Sequence, residues 1–168
     1  RNIVPASVSL KKGEWKRNKF TGVELYGKVL GVIGLGKIGS EVVHRAQAFG
    51  METIAFDPYI SSEAAEKLGI RLVKREELFK SADYISIHTP LIPETYHSIS
   101  TREIALMKPT CRLINCARGG GIDEAALYTA LKEGRIAAAA LDVFEDEPPI
   151  ENPLLTLENL LVTPHLGA

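Results

Sequence analysis

Three features of this sequence predict an α/β fold, a doubly wound parallel sheet with helices on both faces. Short apolar runs recur along the chain with amphipathic segments between them. The first run opens directly into Gly34-x-Gly36-x-x-Gly39, and an acid, Asp57, ends the second. Strand–helix alternation requires right-handed crossovers, which lay parallel strands side by side and cover both faces of the sheet. A glycine-rich strand-to-helix turn followed about twenty residues later by an acid marks the Rossmann type of such a sheet, the type that binds dinucleotides.

The elements follow in order. Apolar runs at 29–33, 53–56, 71–73, 84–87, 112–115, 137–141 and 160–162 read as strands. Between the first two, Ile38, Val42, Val43, Ala46 and Phe49 repeat at helical spacing. Residues 61–69 read as a short helix capped by serine and closed by Gly69. Another short helical turn is expected at 76–82. Residues 101–107 form a helix that Thr101 can cap and that stops before Pro109. Asp123 caps a helix through Glu133 with Ala126, Leu127, Ala130 and Leu131 inward, and Gly134 ends it. The only loop-rich stretch is 145–153.

Bulk properties exclude other classes. At 168 residues the chain fits a single core, and a net charge of −1 offers no field for nucleic acid or a membrane surface. No apolar run approaches the about 18 residues of a spanning helix, and the start, Arg1-Asn-Ile-Val-Pro, lacks the form of a signal peptide. Cys111 and Cys116, on or beside one buried-looking strand, are expected to be free core thiols rather than a disulfide or metal site, which fits a cytoplasmic protein. The chain begins without Met and in mid-element, so it is expected to be a piece of something longer.

In such a sheet, ligands bind beyond the carboxyl ends of the strands. That rule gathers Gly34 to Gly39, Asp57, His88-Thr89-Pro90, Cys116-Ala117-Arg118, Asp142 to Glu147 and Pro164-His165 on one edge. Gly34 permits the tight turn, Gly36 lets the main chain approach a diphosphate, and Gly39 lets helix and strand pack closely. The helix opening near Lys37 aims free N–H groups and its positive dipole end at the phosphates. Asp57 can accept bonds from both adenosine ribose hydroxyls and repels a 2′-phosphate, and Pro58, Tyr59 and Ile60 bring no cation, so NAD is expected over NADP.

Three further groups make a coherent acid–base set for a small 2-hydroxy or 2-keto acid. Arg118, followed by three glycines, has the planar fork of donors that suits a carboxylate. His165, directly after the last apolar run, has the side chain whose ordinary pKa lies nearest neutrality and would accept the hydroxyl proton. Glu147 would orient the imidazole, although most acids of its loop are expected to be a solvated edge. Asp142 could accept a bond from a nicotinamide carboxamide or could simply start a turn. His44 reads as exposed or packed, His97 as a loop residue, and His88 as a cofactor-loop residue or a strand cap.

Together these segments resemble the D-isomer-specific 2-hydroxyacid dehydrogenases. The resemblance covers essentially the whole chain: Gly34-Leu-Gly-Lys-Ile-Gly39, Phe56-Asp-Pro58, Ile87-His-Thr-Pro-Leu91, Ile114-Asn-Cys-Ala-Arg-Gly-Gly120, Ala140-Leu-Asp-Val-Phe144 with Glu147-Pro148, and Pro164-His-Leu-Gly-Ala168. It implies an Arg–Glu–His catalytic set at Arg118, Glu147 and His165. It further implies NAD contacts at Lys37, Ile38, Asp57, Thr89, Pro90, Cys116, Ala117, Arg118, Asp142, His165, Leu166, Gly167 and Ala168. Within the family the likeness is strongest to the branch that oxidises 3-phosphoglycerate at the head of serine synthesis. Alternatives are reduction of glyoxylate or hydroxypyruvate, another D-2-hydroxyacid, or an NAD-gated corepressor of the C-terminal-binding-protein type. The resemblance also implies that residues 1–168 are the NAD-binding domain alone, with the substrate domain elsewhere, and that the parent is a homodimer or higher homo-oligomer joined through regions such as 1–15 and 109–132. Gly121 departs from the bulky aliphatic residue usual in the family.

Overall fold

In the computed structural model, which describes residues 2–167, the apolar runs become β1 (Val29–Ile33), β2 (Glu52–Phe56), β3 (Arg71–Leu72), β4 (Tyr84–Ile87), β5 (Arg112–Asn115), β6 (Ala138–Leu141) and β7 (Leu160–Val162). Helices α1 (Ile3–Lys11), α2 (Lys37–Ala48), α3 (Ser62–Lys67), α4 (Arg75–Ser81), α5 (Thr101–Leu106) and α6 (Glu124–Lys132) lie before and between them, with short 3-10 turns at Arg17–Phe20 and Pro153–Thr156. The strands form one sheet in the order β3-β2-β1-β4-β5-β6-β7, and every pairing is parallel. From β1 the chain winds outward to β3, then returns to β4 on the other side of β1. The crevice where the winding reverses therefore lies at the carboxyl ends of β1 and β4.

Alternation along β1 divides the core in two. Leu30 and Val32 pack with Val43 and Ala46 of α2, Ala65 of α3 and Ile70. Ile33 points the other way, into the larger cluster built with Leu78 and Phe79 of α4, Ile104 of α5 and Leu127, Ala130 and Leu131 of α6. Gly31 shares that second side. A Cβ there would lie 2.8 Å from Cδ2 of Leu78 and 3.0 Å from Cβ of Ala82, so α4 rests directly on the strand.

Local signals explain the boundaries. The Ser61 hydroxyl accepts the Ala64 N–H and Asp123 accepts that of Ala126, as their cap positions demand. The cap of α5 is Ser100 rather than Thr101: the Glu103 carboxylate reaches back to both the N–H and the hydroxyl of Ser100, the reciprocal pattern of a serine three residues before a glutamate. Helix α1 has no counterpart among the expected elements, because its apolar residues bury no stripe: Ile3, Val4, Val8 and Leu10 are all exposed. Ile38 and Phe49, which share the helical spacing of α2, are exposed as well, and its inward face is Gly39, Val43 and Ala46. On the side of the sheet opposite α6, positions 112, 114, 138 and 140 are only half-buried, and Leu161 is exposed.

Leu78→Ala is expected to cost about 2–5 kcal/mol through the cavity it leaves, and Gly31→Ala about 1–3 kcal/mol by overpacking. The two changes meet at one contact, so the double variant should lose less than their sum in urea unfolding. Strict additivity would show that α4 does not rest on β1 as described.

Candidate functional site

The turn from β1 into α2 uses each glycine differently. Gly34 sits at φ +92°, and a Cβ on it would lie 2.8 Å from the His88 carbonyl oxygen, so the loop after β4 closes directly against it. Gly36 is the N-cap of α2 and faces open space. Gly39 lies so close to the turn that a Cβ would meet the Gly34 carbonyl oxygen at 2.1 Å. Among the described residues no side chain caps α2. Its first N–H groups and dipole are thus presented to an anion above a bare main chain, and Lys37 and Ile38 stand exposed at the entrance. Half-buried Asp57 ties the tip of β2 to this turn: one oxygen accepts the Leu35 N–H and the other the Tyr59 N–H, both at 2.8 Å. It ends a strand and braces the glycine turn at once. The cradle has the shape and donors that a dinucleotide diphosphate needs.

A second turn raises Arg118. Asn115, buried at the end of β5, accepts the Ala117 N–H at 3.0 Å and donates to the Arg118 carbonyl at 2.9 Å. That closed turn leaves the guanidinium exposed on the rim, with Nη1 bonded to the Ala117 carbonyl. Gly119 then packs against the loop after β6; a Cβ there would be 1.7 Å from the Phe144 carbonyl oxygen. Gly121 faces mostly open space without a positive φ, so nothing in the backbone requires glycine there.

The third group centres on Asp142, buried at the end of β6. One oxygen accepts the Leu166 N–H at 2.8 Å and the Thr163 hydroxyl, and the other accepts the Gly167 N–H at 2.6 Å. These bonds hold its carboxyl below the usual range. Three of its roughly four lone-pair positions are committed to the loop after β7, a structural role absent from the sequence reading. The Asp142 carbonyl also accepts the His165 N–H, and His165 takes a left-handed φ of +53°. Its Nδ1 then lies 2.8 Å from Glu147 Oε2, while Glu147 Oε1 accepts the Phe144 N–H at 3.1 Å. The imidazole contact first, and the Phe144 N–H second, keep the Glu147 carboxyl below its ordinary value. With Nδ1 facing the carboxylate, Nε2 is the nitrogen available for proton transfer. A cleft of about 480 Å³ opens beside the pair, lined by Asp142, Phe144, Glu147, Pro148, Pro149, Leu155, Val162, Thr163, Pro164 and His165.

Glu147 and His165 are thus in contact, and Arg118 is brought to the same rim through Gly119 and Phe144. Thr89 closes on Gly34, Pro90 and Leu166 are exposed, and Cys116 lies beside Gly167. Ala168 lies outside the described residues. One expectation is corrected: Cys116 is not a core thiol. The strand ends at Asn115, so Cys116 falls on the exposed turn, where partial loss of solvent around the thiol and the Asp142 charge raise its pKa. Cys111 is buried, and burial pushes its thiol to about 12. His88 is held by the Ser86 hydroxyl at 2.8 Å, and burial lowers its pKa. Among the described residues no group of three or more His, Cys, Asp or Glu is placed to hold a metal ion, and no helix is long and apolar enough to cross a membrane. The turn-forming side chain of Asn115 and the fastening by Thr163 were missed. Asn accepting an N–H two residues on is a recognisable turn signal, whereas the Thr163–Asp142 pairing has no local one.

Comparison with known proteins agrees with this geometry. Residues 1–167 match the family model described as D-isomer specific 2-hydroxyacid dehydrogenase, NAD binding domain. The chain is 62% identical over its whole length to a D-3-phosphoglycerate dehydrogenase of Methanocaldococcus jannaschii and 52% identical to one of Bacillus subtilis, and it spans 32% of each of those proteins. The apo-structure of D-lactate dehydrogenase from Escherichia coli superposes with a TM-score of 0.91 at 38% identity, over 99% of this chain and 53% of that one.

Because the folded carboxyls of Asp142 and Glu147 titrate below their unfolded value, the stability they add is complete above about pH 4 and is lost as pH falls through the folded values. The protection of residues 163–167 against hydrogen exchange, taken relative to the intrinsic exchange rate at each pH, should therefore be high at neutral pH and fall only in acid. Asp142→Asn, which turns an amide N–H toward the Gly167 N–H or forfeits the Leu166 bond, should show fast exchange already at pH 7. Equal protection in variant and wild type would mean that Asp142 does not hold the loop.

Proposed function

Because this chain belongs to the D-isomer specific 2-hydroxyacid dehydrogenases, as their NAD binding domain, we propose that it supplies the cofactor cradle and acid–base groups of a D-3-phosphoglycerate dehydrogenase, the enzyme named for its near relatives. The observation that carries the reading is the His165–Glu147 pair, held on the same sheet edge as the glycine turn.

Gly34, Gly36, Lys37, Ile38 and Gly39 would hold the diphosphate, and Asp57 the adenosine ribose. Thr89, Pro90, Cys116, Ala117, Leu166 and Gly167 would line the way toward His165. NAD, when bound, supplies the acceptor for the hydride leaving C2 of the substrate. Arg118 binds the substrate carboxylate through two N–H donors and polarises the adjacent oxygen. His165 Nε2 takes the proton from the C2 hydroxyl as general base. Glu147, fixed in turn by the Phe144 N–H, keeps the imidazole aligned and balances the charge it gains. The reaction would be the oxidation that opens serine biosynthesis. Two unpaired cysteines are compatible with a cytoplasmic setting.

Steady-state turnover of the full-length protein tests this reading. 3-Phosphoglycerate with NAD should be preferred over hydroxyacids lacking the phosphate, and Asp57→Ala should erode the preference for NAD over NADP. Equal activity without the phosphate would overturn the substrate, and unchanged discrimination would overturn the role of Asp57.

We also propose a homodimer. Helix α1 exposes Ile3, Val4, Val8 and Leu10, and Trp15 beyond it is 81% exposed; apolar surface gathered in this way marks contact with another chain. Sedimentation of the full-length protein at micromolar concentration should give a dimer that Val8→Glu weakens. A monomer throughout would contradict the proposal.

A further inference from the structure

Three residues outside the reacting set, Tyr96, His97 and Glu145, join two of its loops. Glu145 lies two positions before Glu147, in an acidic stretch that reads as a solvated edge. Its carboxylate is nevertheless fixed at both oxygens: the Tyr96 hydroxyl donates to Oε1 at 2.6 Å, and Nε2 of His97 lies 3.0 Å from Oε2. The two rings stack with centroids 4.0 Å apart and planes 12° from parallel, which sets their polar ends side by side against one carboxylate. The Glu145 N–H is held independently by Glu124 of α6 at 2.7 Å. His97 in turn adopts a left-handed φ of +46°, and its N–H donates to the Gly120 carbonyl at 2.7 Å, two residues beyond Arg118. The Tyr96-His97 pair thus grips the Glu147 loop by side chains and the Arg118 loop by main chain.

We infer that Tyr96, His97 and Glu145 are positioning residues that set the loops carrying Glu147 and Arg118 at a fixed separation on the rim. This rests on the dehydrogenase reading above. The carboxylate and the guanidinium serve one substrate from different loops, and reacting groups displaced by about 1 Å can lose about a hundredfold in rate. Gly119 against Phe144 brings the loops together, but as a contact without a directional bond it sets no register. The Tyr96–His97–Glu145 contact supplies that register.

The test compares Glu145→Leu, which removes both side-chain bonds, with Glu145→Gln, whose amide oxygen can accept from Tyr96 while its NH2 donates to a neutral His97. In the full-length protein, Glu145→Leu should lower kcat about tenfold or more while leaving the Kd for NAD unchanged, and Glu145→Gln should restore most of kcat. Hydrogen exchange at residues 118–121 and 144–147 should quicken in Glu145→Leu and not in Glu145→Gln, a readout that needs no turnover. Unchanged kcat in Glu145→Leu, or exchange identical in all three proteins, overturns the inference. A wild-type protein that oxidises no 2-hydroxyacid overturns the dehydrogenase reading instead, and the exchange pattern still decides whether the clamp exists.

Discussion

A sheet paired only in parallel sends every return of the chain across one of its faces, so each strand delivers its carboxyl end to the same edge. Here that constraint applies to all seven strands of the sheet among the described residues. Residues 34, 57, 88, 116, 142 and 163 each follow a strand directly. Groups far apart in the chain, such as Gly34 and His88 or Asp142 and Gly167, come into contact because their strands end together. The reversal of winding between β1 and β4 then parts the crossovers and leaves room for a ligand.

The edge is braced by one recurring device, a carboxylate or carboxamide that accepts main-chain N–H groups from a neighbouring turn. Asp57 holds Leu35 and Tyr59, Asn115 holds Ala117, Asp142 holds Leu166 and Gly167, and Glu147 holds Phe144. Glycines do the complementary work. Gly39 and Gly119 allow main chain to meet main chain where any side chain would force the turns apart. Turns placed in this way carry the exposed Arg118 and His165 on hydrogen-bonded main chain.

Much of this was legible in the sequence, and what was not has a physical reason. The strands and most helices were visible because a buried parallel strand leaves a continuous apolar run and a cap leaves a fixed residue type at a fixed offset. That Arg118, Glu147 and His165 share one edge of the sheet was legible because each lies in a motif of many residues beyond a strand end. Helix α1 was hidden because it buries no stripe and so has no period to detect. Cys116 was misplaced because one residue decides whether a side chain ends in the core or on the rim. The bonds from Glu145 to Tyr96 and His97, nearly fifty residues away in the chain, leave no local trace: in sequence an acid in an acidic loop looks solvated whether or not a partner meets it.

Every proposed role on this edge requires the diphosphate of NAD to lie against the main chain of Gly34 to Gly39, with the nicotinamide reaching the rim near His165. A crystal structure of the full-length protein with NAD tests this most directly. The expected result is phosphate oxygens within hydrogen-bond distance of the first N–H groups of α2, the adenosine ribose on Asp57 and the nicotinamide beside His165. A cofactor bound elsewhere, or one whose phosphates are held by side chains away from the glycine turn, would contradict it.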